Sequence, residues 1–281
     1  MTLLGFDLLV FAISVVAGVF GSLLGLGGGI IVIPALTLLF KIDIRYAIGA
    51  SIVSVIATSS GAAAAYVRER MTNLRVAMIL EIATVSGALT GAFLAGILSV
   101  RWLYIVFGLI LAYSALMMFR KRRDALQTAQ ASQGTPWANA LRLHSNYHDD
   151  ATGQEIIYYV RNTRLGLALM YIAGAVSGLL GIGSGALKVP AMDLAMRLPI
   201  KVSTATSNFM IGVTAAASAT VYFLRGDINP MIAAPVATGV LVGAFLGSRL
   251  MGRLKSSTIR IVFVVVLLWV SFQMLKQGIG G

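Results

Sequence analysis

The chain has 281 residues, 58% of them hydrophobic and only 11% charged. Soluble domains carry about 25% charged residues, so this composition excludes a water-exposed globule and points to an all-α polytopic membrane protein. The net charge of +12 reads as Lys and Arg in cytoplasmic loops between apolar segments rather than as a nucleic-acid surface, and the absence of cysteine excludes disulfides and thiolate metal sites.

Met1–Ser14 is apolar but holds no Lys or Arg. It lacks the basic start of a cleavable signal and is expected to remain in the mature protein. Apolar segments then run over 5–40, 44–67, 74–98 and 101–119, and again over 165–196, 202–224, 230–252 and 258–275. Each approaches or exceeds the roughly 20 residues of a bilayer-spanning helix. Between the two sets lies a polar stretch from Arg120 to Arg164 that opens on Arg120, Lys121, Arg122 and Arg123. Within it, Asn139–Tyr147 and Gln154–Asn162 are expected to pair as a β-hairpin around Asp149–Gly153. His144 and His148 stand four apart there. Two histidines without a third ligand read as solvated side chains, so no metal is expected. The organisation is a first transmembrane repeat over 1–120, a cytoplasmic linker over 121–163 and a second transmembrane repeat over 164–281.

The repeat reading rests on a constant offset of 156 residues. It superposes Gly25-Leu26-Gly27-Gly28-Gly29 on Gly181-Ile182-Gly183-Ser184-Gly185, and Pro34 on Pro190. It also pairs Ser51 with Ser207, Tyr66 with Tyr222, Asn73 with Asn229, and Gly87, Gly91 and Gly96 with Gly243, Gly247 and Gly252. Without a gap, 24 of 96 positions are identical, which indicates a duplication.

Segment 5–40 would make a helix of roughly 50 Å against a hydrocarbon core of about 30 Å. A glycine cluster and a proline break it, costing about 1 and 3 kcal/mol in a helix interior. Loop charges choose between a bent crossing and a re-entrant hairpin. Four crossings per half, giving eight transmembrane helices in 4+4 parallel repeats, put 12 Lys/Arg on the linker side and 9 on the other. Hairpins with three crossings per half invert the second repeat, and the division becomes 16 to 5. The positive-inside rule favours the second, inverted arrangement.

The glycine clusters are not nucleotide loops. Ile30 stands where a dinucleotide fingerprint needs glycine, and Lys188 follows Gly185 too closely for a P-loop. No cofactor is expected. Broken helices meeting near the bilayer midplane are a recurrent transporter design, and exposed N–H groups at the start of a returning helix favour an anion. Gly25, Gly27, Gly28 and Gly29 with Gly181, Gly183, Ser184 and Gly185 are therefore candidate substrate-binding tips. Lys188 is an intramembrane charge and a functional candidate by default; its counterpart is Val32. Ser51, Ser207 and Asn208 are candidate hydrogen-bonding groups. Asp193 and Glu81 are the intramembrane acids able to couple a proton. Asp193 also stands four before Arg197, and Glu81 either faces a cavity or pairs with Arg75. With ten acids, mostly in loops, and both histidines in the linker, no catalytic set assembles and an enzyme is not expected.

Two copies of a G-x-G-x-G segment followed by proline, a Ser-containing helix and then G-A-x-x-G resemble the sulfite exporter TauE/SafE family, also grouped with the 4-toluene sulfonate uptake permeases. The resemblance covers both halves outside the linker. It implies a multi-pass secondary transporter in the cytoplasmic (inner) membrane, carrying a small sulfur-containing anion such as sulfite, thiosulfate or an organosulfonate, with an anion channel of the same architecture as the alternative.

Overall fold

The computed structural model describes residues 3–120, 135–251, 254 and 256–280. Helix α1 spans Leu3–Leu24 and ends at the first glycine cluster; α2, Gly29–Pro34, runs into a π-helical turn, Ala35–Leu39. Three longer helices follow: α3 (Ile44–Arg68), α4 (Leu74–Ala95) and α5 (Val100–Arg120). The linker holds a helical turn, α6 (Pro136–Ala140), and two strands, β1 (Ser145–Asp149) and β2 (Gln154–Tyr158). The second half has the same order of elements: α7 (Thr163–Leu180), α8 (Gly185–Pro190) with a π-helical turn over Ala191–Ala195, α9 (Ile200–Leu224), α10 (Pro230–Met251) and α11 (Ser256–Gly280).

Among the described residues, six of these helices are long and apolar enough to cross a membrane: α1, α3, α4, α7, α9 and α10. Large apolar side chains such as Ile82, Phe93, Leu224 and Phe272 stand at least two-thirds exposed. Water would not tolerate so wide an apolar exterior, whereas acyl chains do. The protein is an all-α, multi-pass membrane protein.

Local chemistry explains the breaks. Asp43 caps α3 by accepting from the Arg45 N–H at 2.8 Å, and Asn73 caps α4 by accepting from the Val76 N–H at 3.1 Å. Pro34 and Pro190 each sit at the last position before a π-helical turn. A proline lacks its N–H and crowds the carbonyl four residues back, so the helix widens there rather than continuing as α. Both turns are followed by a non-glycine residue in the left-handed region, Lys41 at φ 55° and Arg197 at φ 62°.

After the first glycine cluster the chain turns back on itself. A Cβ added at Gly21 would lie 2.1 Å from the Gly28 nitrogen. The Phe6 and Phe40 rings meet edge to face, 5.1 Å between centroids. The start of α1 and the end of the arm built on α2 are therefore neighbours.

The contacts between halves come in pairs related by the same 156-residue offset. Ser51 Oγ donates to Gly181 O at 2.8 Å, and Ser207 Oγ donates to Gly25 O at 2.9 Å. A Cβ at Gly18 would lie 2.3 Å from Val240 O, and one at Gly174 would lie 2.1 Å from Thr84 O. Bonds within each half obey the same offset: Tyr66 donates to Ser22 O at 3.0 Å, as Tyr222 does to Gly178 O at 2.8 Å. The corresponding helices α5 and α11 lie side by side and run antiparallel: Ser271 Oγ donates to Gly108 O at 2.7 Å, and Arg101 Nε to Gly278 O at 3.2 Å.

Strands β1 and β2 pair antiparallel, Asp149 opposite Gln154, with Gly153 at φ 67° closing the turn. The expected first strand is shifted. Residues 136–140 form a helical turn instead, because Pro136 presets its first position and Trp-Ala-Asn-Ala offers no β-branched side chain. Asn73 Nδ2 donates to Leu143 O at 2.9 Å and to the Tyr158 hydroxyl at 3.0 Å. Leu143, Tyr147 and Tyr158 share a buried apolar cluster with Val76 and Leu80 of α4 and with Met192 and Met196. The β-hairpin is thus docked onto the helical body.

Candidate functional site

The two glycine turns meet at the centre. Gly25, Gly27 and Gly28 take φ of 68°, 79° and 71°, and Gly181 and Gly183 take 65° and 69°. A side chain in that region is strained. Space is equally restrictive: a Cβ on Gly185 would lie 1.8 Å from Gly25 O, and one on Gly29 would lie 2.3 Å from Ser51 Oγ. Gly27 and Gly183 both pack on Val55 and Ile211. The tips touch, and the glycines allow that approach. Some of the N–H groups expected to face an anion close the turns themselves. Gly29 donates to Gly27 O at 2.8 Å, and Leu187 and Lys188 donate to Ser184 O at 3.0 and 2.8 Å.

Ser51 and Ser207 lock the junction by each bonding the opposite tip's carbonyl. Asn208 Nδ2 donates to Ser22 O at 2.7 Å, and its backbone carbonyl accepts from Ser59 Oγ at 2.5 Å. Ser54 and Thr58 bond back to their own helix, at 2.7 and 2.8 Å. Ser184 Oγ, Thr204 Oγ1 and Asn208 Oδ1 are buried and make no hydrogen bond among the described residues. Leaving a buried polar atom unpaired costs about 1–3 kcal/mol, and in this protein three such atoms lie on or beside the tips.

Lys188, one turn into α8, is completely buried. Its Nζ donates to Thr214 Oγ1 at 2.7 Å and stands 3.8 Å from Glu81 Oε2. Thr214 in turn donates to Glu81 Oε1 at 2.6 Å, and Thr84 donates to Glu81 Oε2 at 3.1 Å. Helices α4, α8 and α9 thus bring together one cation, one anion and two hydroxyls. Glu81 thus faces Lys188, whereas Nη1 of Arg75, the partner expected for it if it did not face a cavity, donates to Arg142 O at 2.9 Å. Thr84 and Thr214 were not singled out from the sequence, although Thr214 falls on Thr58 at the repeat offset and that identity was a usable signal. Asp193 is buried in the π-helical turn beyond α8. It belongs to a different turn from the Lys188 cluster.

The linker histidines do not act as a pair. His144 Nδ1 accepts the Val160 N–H at 3.0 Å, whereas His148 lies 3.7 Å from Asp150. His148 is on β1 and His144 precedes it, so the four-residue spacing that faces two ligands together on a helix does not apply.

The profile of a family described as sulfite exporter TauE/SafE matches residues 10–274. A probable membrane transporter protein of Bacillus subtilis (strain 168), YunE, is 29% identical over 274 residues, covering 95% of this chain and 96% of the relative. A second from the same organism, YdhB, is 25% identical over 86% of this chain and 89% of its own length. MJ0441 of Methanocaldococcus jannaschii, also described as a probable membrane transporter protein, is 22% identical over 92% of this chain and 91% of its own length. No solved structure matches the chain.

Proposed function

We propose that this chain, which belongs to the sulfite exporter TauE/SafE family of membrane transporters, is a secondary transporter of a small sulfur-containing anion: sulfite, thiosulfate or an organosulfonate. The observation that carries the reading is Lys188, buried three residues past a glycine tip and held by Thr214 and Glu81. An intramembrane charge of this kind is expensive and marks a substrate or ion pathway. Substrate would enter between the tips, displace Glu81 as the partner of Lys188, and find hydrogen bonds at Ser184, Thr204 and Asn208. Glu81, released from the ammonium, is the group suited to take a proton, so that a proton gradient can drive the exchange; Asp193 is the second such acid.

The accompanying architecture is two inverted repeats, each a re-entrant hairpin plus three transmembrane helices. It is supported by the reciprocal Ser51–Gly181 and Ser207–Gly25 bonds, by the contact of Phe6 with Phe40, and by the antiparallel course of α5 and α11. A rotation that exchanges antiparallel helices has its axis across them, which is the transporter arrangement with the axis in the membrane plane. With the chain in the cytoplasmic membrane, the 16-to-5 division of Lys and Arg supports a cytoplasmic linker.

Thermal stabilisation of the purified protein by sulfite, thiosulfate, methanesulfonate, taurine and 4-toluenesulfonate, against sulfate, chloride and cationic controls, tests the reading. A ligand that binds only the native state raises the melting temperature by mass action. One sulfur anion should stabilise the native chain and lose that effect in a folded Lys188→Ala variant. Stabilisation that survives the substitution removes Lys188 from the site, and stabilisation by no anion in the panel rejects the cargo.

A further inference from the structure

The repeat offset allows the two entrances of the body to be compared residue by residue. On the side away from the linker, a cavity of about 250 Å³ opens between α3, α4, α5 and α9; Arg45, Tyr222, Arg225 and Asp227 line it. Tyr222 forms its inner wall, with its hydroxyl on the Gly178 and Leu179 carbonyls at 2.8 and 3.1 Å, just before the second glycine tip. Arg225 is fixed there by stacking on the Tyr222 ring at 4.3 Å, by donating to Ala92 O at 3.0 Å and by its 3.1 Å ion pair with Asp227. One positive charge remains in excess among these side chains, and Arg45 supplies it.

At the other entrance the equivalents are Lys201 for Arg45, Tyr66 for Tyr222 and Thr204 for Ile48, another lining residue. Lys201 is not open to solvent. Its ammonium is completely buried, and the carboxylate of Asp149, at the tip of β1, sits 2.7 Å from it with only 5% of that side chain exposed. A carboxylate and a sulfonate or sulfite present similar oxygens to a cation. The linker has therefore placed an anionic group on the cation that corresponds to Arg45.

We infer that Arg45 and Lys201 are paired entrance sites for a small oxyanion, and that Asp149 of the linker β-hairpin occupies the Lys201 site as a tethered substitute for that anion and closes it. The inference rests on the small-anion reading above and deepens it. The anion bound at Arg45 lies beside Tyr222 and the second tip. At Lys201 an incoming anion has to displace Asp149, and with it the hairpin.

The chain has no cysteine, so one introduced thiol is the sole target of a maleimide. Thr204→Cys should react slowly in the otherwise native protein and in Asp149→Glu, and about tenfold faster or more in Asp149→Asn, because loss of a buried ion pair raises the open fraction. Should Asp149→Asn not purify as a single species, Lys201→Gln must open the site in the same way. Equal rates with and without the ion pair overturn the closure by Asp149. Ala95→Cys, at the half-buried edge of that cavity, should react readily and be protected by methanesulfonate, which does not consume the reagent, but not by chloride. Protection should vanish with Arg45→Gln. Absent protection, or protection that survives Arg45→Gln, overturns the entrance site. If methanesulfonate still raises the melting temperature through Lys188, only the entrance inference has failed; if it does neither, the anion reading fails with it.

Discussion

The pairing of Lys188 with Glu81 makes the sharpest quantitative demand. Their charged atoms stand 3.8 Å apart, with the lysine side chain fully buried and the glutamate 12% exposed. At an effective dielectric of about 20, that separation corresponds to about 4 kcal/mol. Lys188→Met leaves Glu81 as a buried anion held only by Thr84 and Thr214, and removing one partner of a buried pair costs about 3–5 kcal/mol. Glu81→Gln should cost less than Lys188→Met, because the amide carbonyl can accept from one hydroxyl while its NH2 donates to the oxygen of the other. The double variant Lys188→Met/Glu81→Gln should be more stable than the sum of the single losses by about 4 kcal/mol, the coupling energy of the pair. Reversible unfolding in mixed detergent micelles would measure the cycle. A coupling energy under about 1 kcal/mol, the value of an exposed pair, would show that Glu81 does not hold Lys188 and would remove the reason for expecting substrate to displace it.

Gly91→Ala would place a Cβ 1.8 Å from Ala175 O. The helices α4 and α7 would have to part by about 1.5 Å to restore an ordinary carbon–oxygen contact, at about 3 kcal/mol. Gly61→Ala, whose nearest neighbour is the Leu241 side chain at 3.2 Å, should stay within about 1 kcal/mol of wild type; equal losses in the same unfolding assay would refute the close-packing role. Burial lowers the His144 pKa from its ordinary value, and Nδ1 accepts the Val160 N–H. A histidine whose folded pKa is depressed stabilises the fold above its unfolded pKa of about 6.5 and loses that contribution as the pH falls below it. Amide exchange in β1 and β2, corrected for its intrinsic pH dependence, should therefore show weaker protection at acidic pH, and His144→Gln should abolish the difference. Val32 and Ala237 are the repeat equivalents of Lys188 and Glu81, so Val32→Lys alone should destabilise strongly and Val32→Lys/Ala237→Glu should recover part of the loss. A double variant no better than the single one would argue against equivalent environments.

Much of the frame is legible in the sequence because it depends on local rules. A glycine cluster followed by proline has to interrupt a helix, and Pro34 and Pro190 do so with the same π-helical turn. The offset that aligns Ser51 with Ser207 also relates the two hydrogen bonds these residues make. The charge pairs were hidden because they join segments far apart in the chain. Glu81 shares α4 with Arg75, six residues earlier, but the α4 face that carries Glu81 is turned toward α8 and α9, where Lys188 and Thr214 lie. Periodicity could not reveal this, since α4 is apolar nearly all round. The linker misled for another reason: Asn139 reads as a strand residue by alternation, while Pro136 at a helix start fixes the backbone three residues before the pattern begins.

On the inverted-repeat architecture proposed above, the two halves share a frame, and the residues on which they differ would set which way it opens. With a shared frame, a rotation exchanging the repeats would turn a conformation closed on one side into one closed on the other. The two would then have equal energy, and a ligand bound equally by both would shift nothing. Bias has to come from unequal positions. Lys188 facing Glu81, where the other half has Val32 and Ala237, puts the cation on one arm only. Lys201 is buried under Asp149, where the other half has Arg45 beside a cavity of about 250 Å³, so that on the entrance proposal one side only is closed. On the proposals above, this conformation is the one open away from the linker, and the ion pair between Asp149 and Lys201 is part of what must be broken to leave it. Neutralising Asp149 should therefore lower the barrier on the linker side while leaving the Arg45 entrance unchanged, an asymmetry that a purely structural role for the β-hairpin would not produce.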